Sequence, residues 1–236
     1  MRKNLLSISV WSMVILINTY FIYSFPFRHF NVKSWHQPFG PLLTVHIAFG
    51  MLALLLGPLQ FFPSIRKSRP HFHRLTGRIY LISILIGAVC AIILATNHNI
   101  AIQKRLVFGT GLLGLATAWL LTSGMALWAI RNRNFVQHRE WMVKSYVVTC
   151  GFTFYRILFL ITKSFMPLDS IDYSKELSGI LAWSCWAIPL LITEAILQGK
   201  KIIKSSSVPK PPANTMLAKE RLTIISSTET TNQQSK

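Results

Sequence analysis

A chain of 236 residues with 51% hydrophobic and only 14% charged residues, and a mean hydropathy of +0.42, is too apolar for an ordinary soluble domain. The formal charge of +18 would suit a nucleic-acid binder, but the cations flank apolar runs, so membrane topology accounts for them and nucleic acid is set aside. Cys90, Cys150 and Cys185 fall inside apolar runs without metal-ligand spacing, which excludes a disulfide framework and reads as packing.

Residues 5–25 form a first run of spanning length behind Arg2 and Lys3. The run is longer than a signal-peptide core and lacks a small-x-small cleavage pattern, so it reads as a retained signal anchor, a unit over 1–25 ahead of a membrane bundle over 26–198. Five more runs follow at 41–62, 75–96, 107–130, 141–162 and 179–197. Each has about the 20 residues that cross a 30 Å hydrocarbon core as a helix. The expected class is all-α, a polytopic membrane bundle of six transmembrane helices whose short connections make consecutive helices antiparallel. After Gln198 the chain turns to Lys, Ser, Thr, Asn, Gln and Pro, a composition that cannot bury enough apolar surface, and residues 199–236 read as a disordered tail.

Lys and Arg set the orientation. Counting Arg78 with its connection, 18 lie on the side of the termini and six on the other, Arg156 being inside a span. The positive-inside rule then puts both termini in the cytoplasm of a plasma or inner membrane and the 163–178 connection outside.

Lipid is as apolar as Leu, so small and polar residues mark the inward faces. His46, Gly50, Ala53, Gly57 and Gln60 recur at steps of four and three in the second run. His73, Gly77, Tyr80, Ile84 and Gly87 do so in the third, and His138, Met142, Ser145, Thr149, Phe152 and Arg156 in the fifth. The fourth contributes Gly111, Gly114, Thr117 and Gly124. Arg156 and Glu194 are ionisable groups within spans, which cost about 2.5–3.5 kcal/mol even on the lenient insertion scale and so face the interior. With a 1.5 Å rise per residue, His46 lies about 7 Å below the outer start of its helix and Arg156 about 9 Å below the outer end of its own, a depth at which they can meet. Glu194 falls at the level of His73, Arg74, Arg78, His138 and Arg139, an inner polar cluster.

The stretch HFHRLTGRIY at 71–80, with GPLQF at 57–61, HREWM at 138–142, Arg156 and WAIPLLITE at 186–194, resembles the domain-of-unknown-function family 2306 of multi-span membrane proteins. The resemblance covers roughly 40–198. It departs where the family reads Val-Pro-Asn and this chain has Ala187, Ile188 and Pro189, while Trp186 and Glu194 match. It implies an architecture and supplies no activity.

Three functions stand beside one another. A cytochrome-b-like four-helix core could hold haem b, with axial ligands drawn from His46, His73 and His138, and with Arg74, Arg78, Arg139 and Arg156 as cofactor-binding cations. His98 is a poor ligand beside His73, because 25 residues of helix separate them by about 37 Å. A zinc hydrolase could use His73, His138 and Glu194 as metal ligands, although no HExxH spacing is present. A non-catalytic lipid-binding or transport protein could use the His and Arg cluster on lipid phosphates. Membrane lipids are the expected partners in each, with a homo-oligomer left open.

Overall fold

The computed structural model describes Leu16, Thr19, Tyr20 and residues 38–165 and 171–206. The signal-anchor run at 5–25, apart from those three residues, and the tail from 207 onward lie outside them. Among the described residues every regular element is helical: α1 (Gly40–Leu56), a 3-10 turn (Pro58–Gln60), α2 (Pro63–Ser68), α3 (Pro70–Ile93), a π-helical extension (Leu94–Ile102), α4 (Leu106–Arg131), α5 (Phe135–Thr149), α6 (Gly151–Phe165) and α7 (Ile171–Ser206). Proline opens α1, α2 and α3 at their first two positions, where its missing N–H is an orphan in any case. Asn134 caps α5, its Oδ1 accepting from the Gln137 N–H at 3.1 Å.

Four helices are long and apolar enough to cross a membrane: Gly40–Gln60, Pro70–Ile102, Leu106–Arg131 and Lys175–Ile203. The pair Phe135–Thr149 and Gly151–Phe165 is apolar enough only when taken together and is bent by 42°, the form of a broken span or of a re-entrant loop. The five apolar runs on described residues thus give four helices of spanning length, or five with the bent pair taken as one span, and the all-α membrane bundle is the observed class. The run at 141–162 is not one straight helix, however. Thr149 Oγ1 donates back to the Ser145 carbonyl at 2.8 Å, a bond that bends helices, and the helix breaks directly after it at Cys150. Helical structure also begins at Pro70, before the third run, and runs through Ser206, beyond Gln198.

The core draws on α1, α3, α4 and α5. Ala53 and Leu54, Tyr80, Ile84 and Ala88, Trp119 and Ala126, and Met142, Tyr146 and Val148 form one buried cluster. Leu55, Leu85, Val89, Leu121 and Leu191 are exposed on the outer faces. Packing is therefore sorted by size and polarity, as expected where lipid solvates Leu as well as protein does. Closest approaches use glycine: a Cβ at Gly57 would run into the Tyr146 ring, and one at Gly87 would lie 3.3 Å from Trp119.

The stripe assigned to the fourth run needs correction. Gly111 is buried and Gly114 packs under Trp183 and Trp186 of α7, but Thr117 and Gly124 are exposed. Each step of three falls 60° short of a full turn, so Thr117 and Gly124 lie roughly 120–140° round the helix from Gly111. The face of α4 that meets α5 carries Ala116, Trp119, Ser123 and Ala126 instead.

Contacts divide the chain at Glu194. Of the second unit, the described part is the helical end of α7 up to Ser206.

Candidate functional site

The most polar spanning helix is one of the most buried. Phe135–Thr149 reads FVQHREWMVKSYVVT, and Lys144, Ser145, Tyr146 and Thr149 are all buried. Its inward hydroxyls join a network. Tyr80 Oη hydrogen-bonds Ser145 Oγ at 2.9 Å and Thr149 Oγ1 at 3.0 Å, while Ser145 Oγ also meets Ser123 Oγ at 2.8 Å. Trp119 Nε1–H donates to Thr149 Oγ1 at 2.8 Å. One level away, Gln60 Nε2 donates to Thr76 Oγ1 at 2.9 Å, and Tyr146 Oη donates to the Leu54 carbonyl at 3.3 Å. Three helices are tied through α5 by groups that would otherwise be stranded away from water.

Beside this network Lys144 Nζ lies 2.5 Å from Glu194 Oε2 in an ion pair. The Lys144 side chain is 10% exposed and that of Glu194 40%. The ammonium also sits 4.0 Å from the centroid of the Trp141 ring, so carboxylate and π-face share one cation. Lys144 escaped the sequence reading because it was counted with the 131–144 connection, although it lies within the 141–162 run. Its signal was indirect: Glu194, an acid in an apolar run, demanded a cation at its own depth.

The predicted histidines separate by environment. His138 Nδ1–H donates to the Ala126 carbonyl at 2.8 Å and His46 Nδ1–H to the Gly87 carbonyl at 2.8 Å, since a carbonyl can only accept. Both rings are thereby fixed in one tautomer with Nε2 left as the basic nitrogen. His73 lies within electrostatic reach of His138, and its Nδ1 is buried without a hydrogen-bond partner. His98 sits in the π-helical extension at the far end of the same continuous span, beside Phe39 with ring centroids 5.5 Å apart.

Arg74, Arg78 and Arg139 are exposed, on faces turned away from the buried network. Arg74 and Arg78 line a groove with His71 and Leu75. They therefore do not close the inner cluster, which holds Lys144 in their place. Arg156 is half-buried with its guanidinium 5.3 Å from the Phe152 ring centroid, and its charge and that of Arg105 both reach Tyr155. Among the described residues no three His, Cys, Asp or Glu side chains gather as a metal site, so His73, His138 and Glu194 do not form the expected ligand set. Glu194 is held by Lys144, and an ammonium so close to a carboxylate competes directly with a metal cation for it.

Trp186, part of the matching motif, packs against Gly114 and Gly151, and its Nε1–H is buried without a partner. Three residues on, Pro189 interrupts the α7 hydrogen-bond ladder, and Thr193 Oγ1 donates to its carbonyl at 2.7 Å. No curated protein and no solved structure matches the chain. The family model described as a predicted membrane protein, DUF2306, matches residues 43–197, a stretch that contains the hydroxyl network, both pinned histidines and the Lys144–Glu194 pair. The chain belongs to that family.

Proposed function

We propose that the protein is a non-catalytic, proton-linked transport protein whose coupling element is the Lys144–Glu194 pair. The observation that carries this reading is a lysine with a 10% exposed side chain in an apolar bundle, bound to a glutamate that is 40% exposed. Ionisable groups inside membranes are costly and mark ion and proton paths. Glu194 is the reachable partner. A proton on its carboxylate removes the counter-ion of Lys144 and leaves the ammonium only the Trp141 face. That state is relieved when Lys144 releases its own proton or when α7 moves off α5, so proton binding and helix movement become one equilibrium. Pro189, five residues before Glu194, supplies the flexible point.

Proteoliposomes carrying an internal pH dye test this under a potassium diffusion potential set by valinomycin. Protein-dependent proton flux that disappears in Glu194→Gln and persists in Arg131→Gln is the expected result. Equal flux in the Glu194 variant, or no flux above empty vesicles, removes the reading.

A second reading has an observation of its own. His46 and His138 each donate Nδ1–H to a backbone carbonyl of a neighbouring helix, the arrangement that aims Nε2 at iron. Of these, His138 has a second imidazole within electrostatic reach, His73. A haem b held between them would place Arg74, Arg78 or Arg139 nearest its propionates. A Soret band in the purified protein, lost in His138→Ala, supports this reading, and its absence from protein made with haem in excess sinks it.

A further inference from the structure

On the exposed face of α3, His71, Arg74, Leu75 and Arg78 line an open groove of about 380 Å³. The four follow the i, i+3, i+4, i+7 rule, so they form one continuous strip along the first two turns of the helix. The strip is separate from the buried face of the same helix, where His73 is half-buried and Thr76 and Tyr80 are buried. Next to it, Arg66 and Lys67 occupy the last turn of α2, and Arg69 links the two helices. Five cations within 13 positions therefore crowd one end of the bundle. Among the described residues none of the five is paired with a carboxylate. Arg74 Nε makes only a long 3.3 Å bond to the Pro70 carbonyl of its own helix, which leaves its terminal nitrogens to face the groove.

Like charges held this close repel unless an anion lies among them. The groove is also not purely polar. Leu75 is 56% and Phe72 43% exposed, so an apolar wall stands beside the guanidiniums where the helix passes from headgroup to hydrocarbon depth. A free phosphate would satisfy the cations and leave that wall in water. A phospholipid satisfies both, with its phosphate on Arg74 and Arg78 and the top of an acyl chain against Leu75. We propose that this groove is a binding site for an anionic phospholipid, independent of the transport reading.

The test uses the full chain in nanodiscs of phosphatidylcholine with and without phosphatidylglycerol, and reads the motionally restricted fraction of spin-labelled phosphatidylglycerol. Near an anionic surface each Arg is worth about 1 kcal/mol, roughly fivefold, so Arg74→Gln with Arg78→Gln should weaken the preference for phosphatidylglycerol over phosphatidylcholine by about twentyfold or more. Arg74→Lys with Arg78→Lys should retain most of it. The exposed cations at Arg131, the last residue of α4, and Arg133, in the connection before α5, serve as the control, and their Gln variants should leave the preference unchanged. Because Arg74 and Arg78 are exposed, unfolding temperatures in pure phosphatidylcholine should stay at the parent value. An undiminished preference in the Arg74/Arg78 variant overturns the site. So does an equal loss in the Arg131/Arg133 control, which means diffuse surface attraction, or full displacement of the lipid by glycerophosphate at matched concentration, which means a site for free phosphate.

Discussion

Removing either member of the Lys144–Glu194 pair leaves a different remainder, and the two cannot cost the same. Without Glu194, an ammonium with a 10% exposed side chain keeps only the Trp141 ring. Stranding a buried charge costs about 3–5 kcal/mol. Without Lys144, a carboxylate that is 40% exposed turns toward water, and the loss should resemble that of a surface pair, roughly 0–1 kcal/mol. Glu194→Gln is therefore expected to lower the unfolding temperature in detergent far more than Lys144→Met, and the double variant should recover most of the difference. Equal losses would mean that the pair is hydrated on both sides. At this scale the sequence spoke unevenly. Glu194 announced itself by standing in an apolar run, whereas Lys144 was hidden by its neighbours Arg139 and Glu140, which made the start of its helix look like a loop.

Among elements, α5 is the one that the others are fastened to. Thr149 Oγ1 receives Trp119 Nε1–H and hydrogen-bonds Tyr80, so Thr149→Val strands an indole donor that has no second acceptor. Tyr80→Phe leaves Ser145 on Ser123 and Thr149 on Trp119. The valine variant should lose about 1–3 kcal/mol and the phenylalanine variant about 1 kcal/mol, measured as shifts in denaturant midpoint, with the order of the two as the decisive point. The stripes on α1, α3 and α5 were legible because steps of three and four alternate and stay on one face. The α4 stripe was not, because consecutive steps of three walk off the face. The break at Cys150 had no apolar-to-polar boundary to betray it, since it falls inside an apolar run. Where Arg74 and Arg78 face was likewise beyond depth alone: residues at one level on one helix can point to core or to lipid.

For the molecule as a whole, the described residues hold four spanning helices, or five with the bent pair as one span, against six apolar runs, and the sidedness rests on the excess of Lys and Arg. A chain with Cys90, Cys150 and Cys185 replaced by Ala and a single Ser205→Cys is expected to resist a membrane-impermeant maleimide in intact cells and to react after lysis. Reaction in intact cells would invert the topology, and with it the leaflet that supplies a lipid to the groove.

The polar character of α5 also bears on how the chain is made. A translocon judges each segment as it emerges, and Lys144 alone adds roughly 2.5–3.5 kcal/mol against insertion if it lies near the helix centre. The compensating carboxylate, Glu194, is synthesised 50 residues later, in the last span. Until then α5 can be retained only by its hairpin partner α4, so membrane integration is finished retroactively, by the arrival of α7. A glycosylation-mapped chain ending before residue 171 should leave much of the 135–165 segment uninserted, and restoring α7 should rescue it, whereas restoring α7 with Glu194→Leu should not.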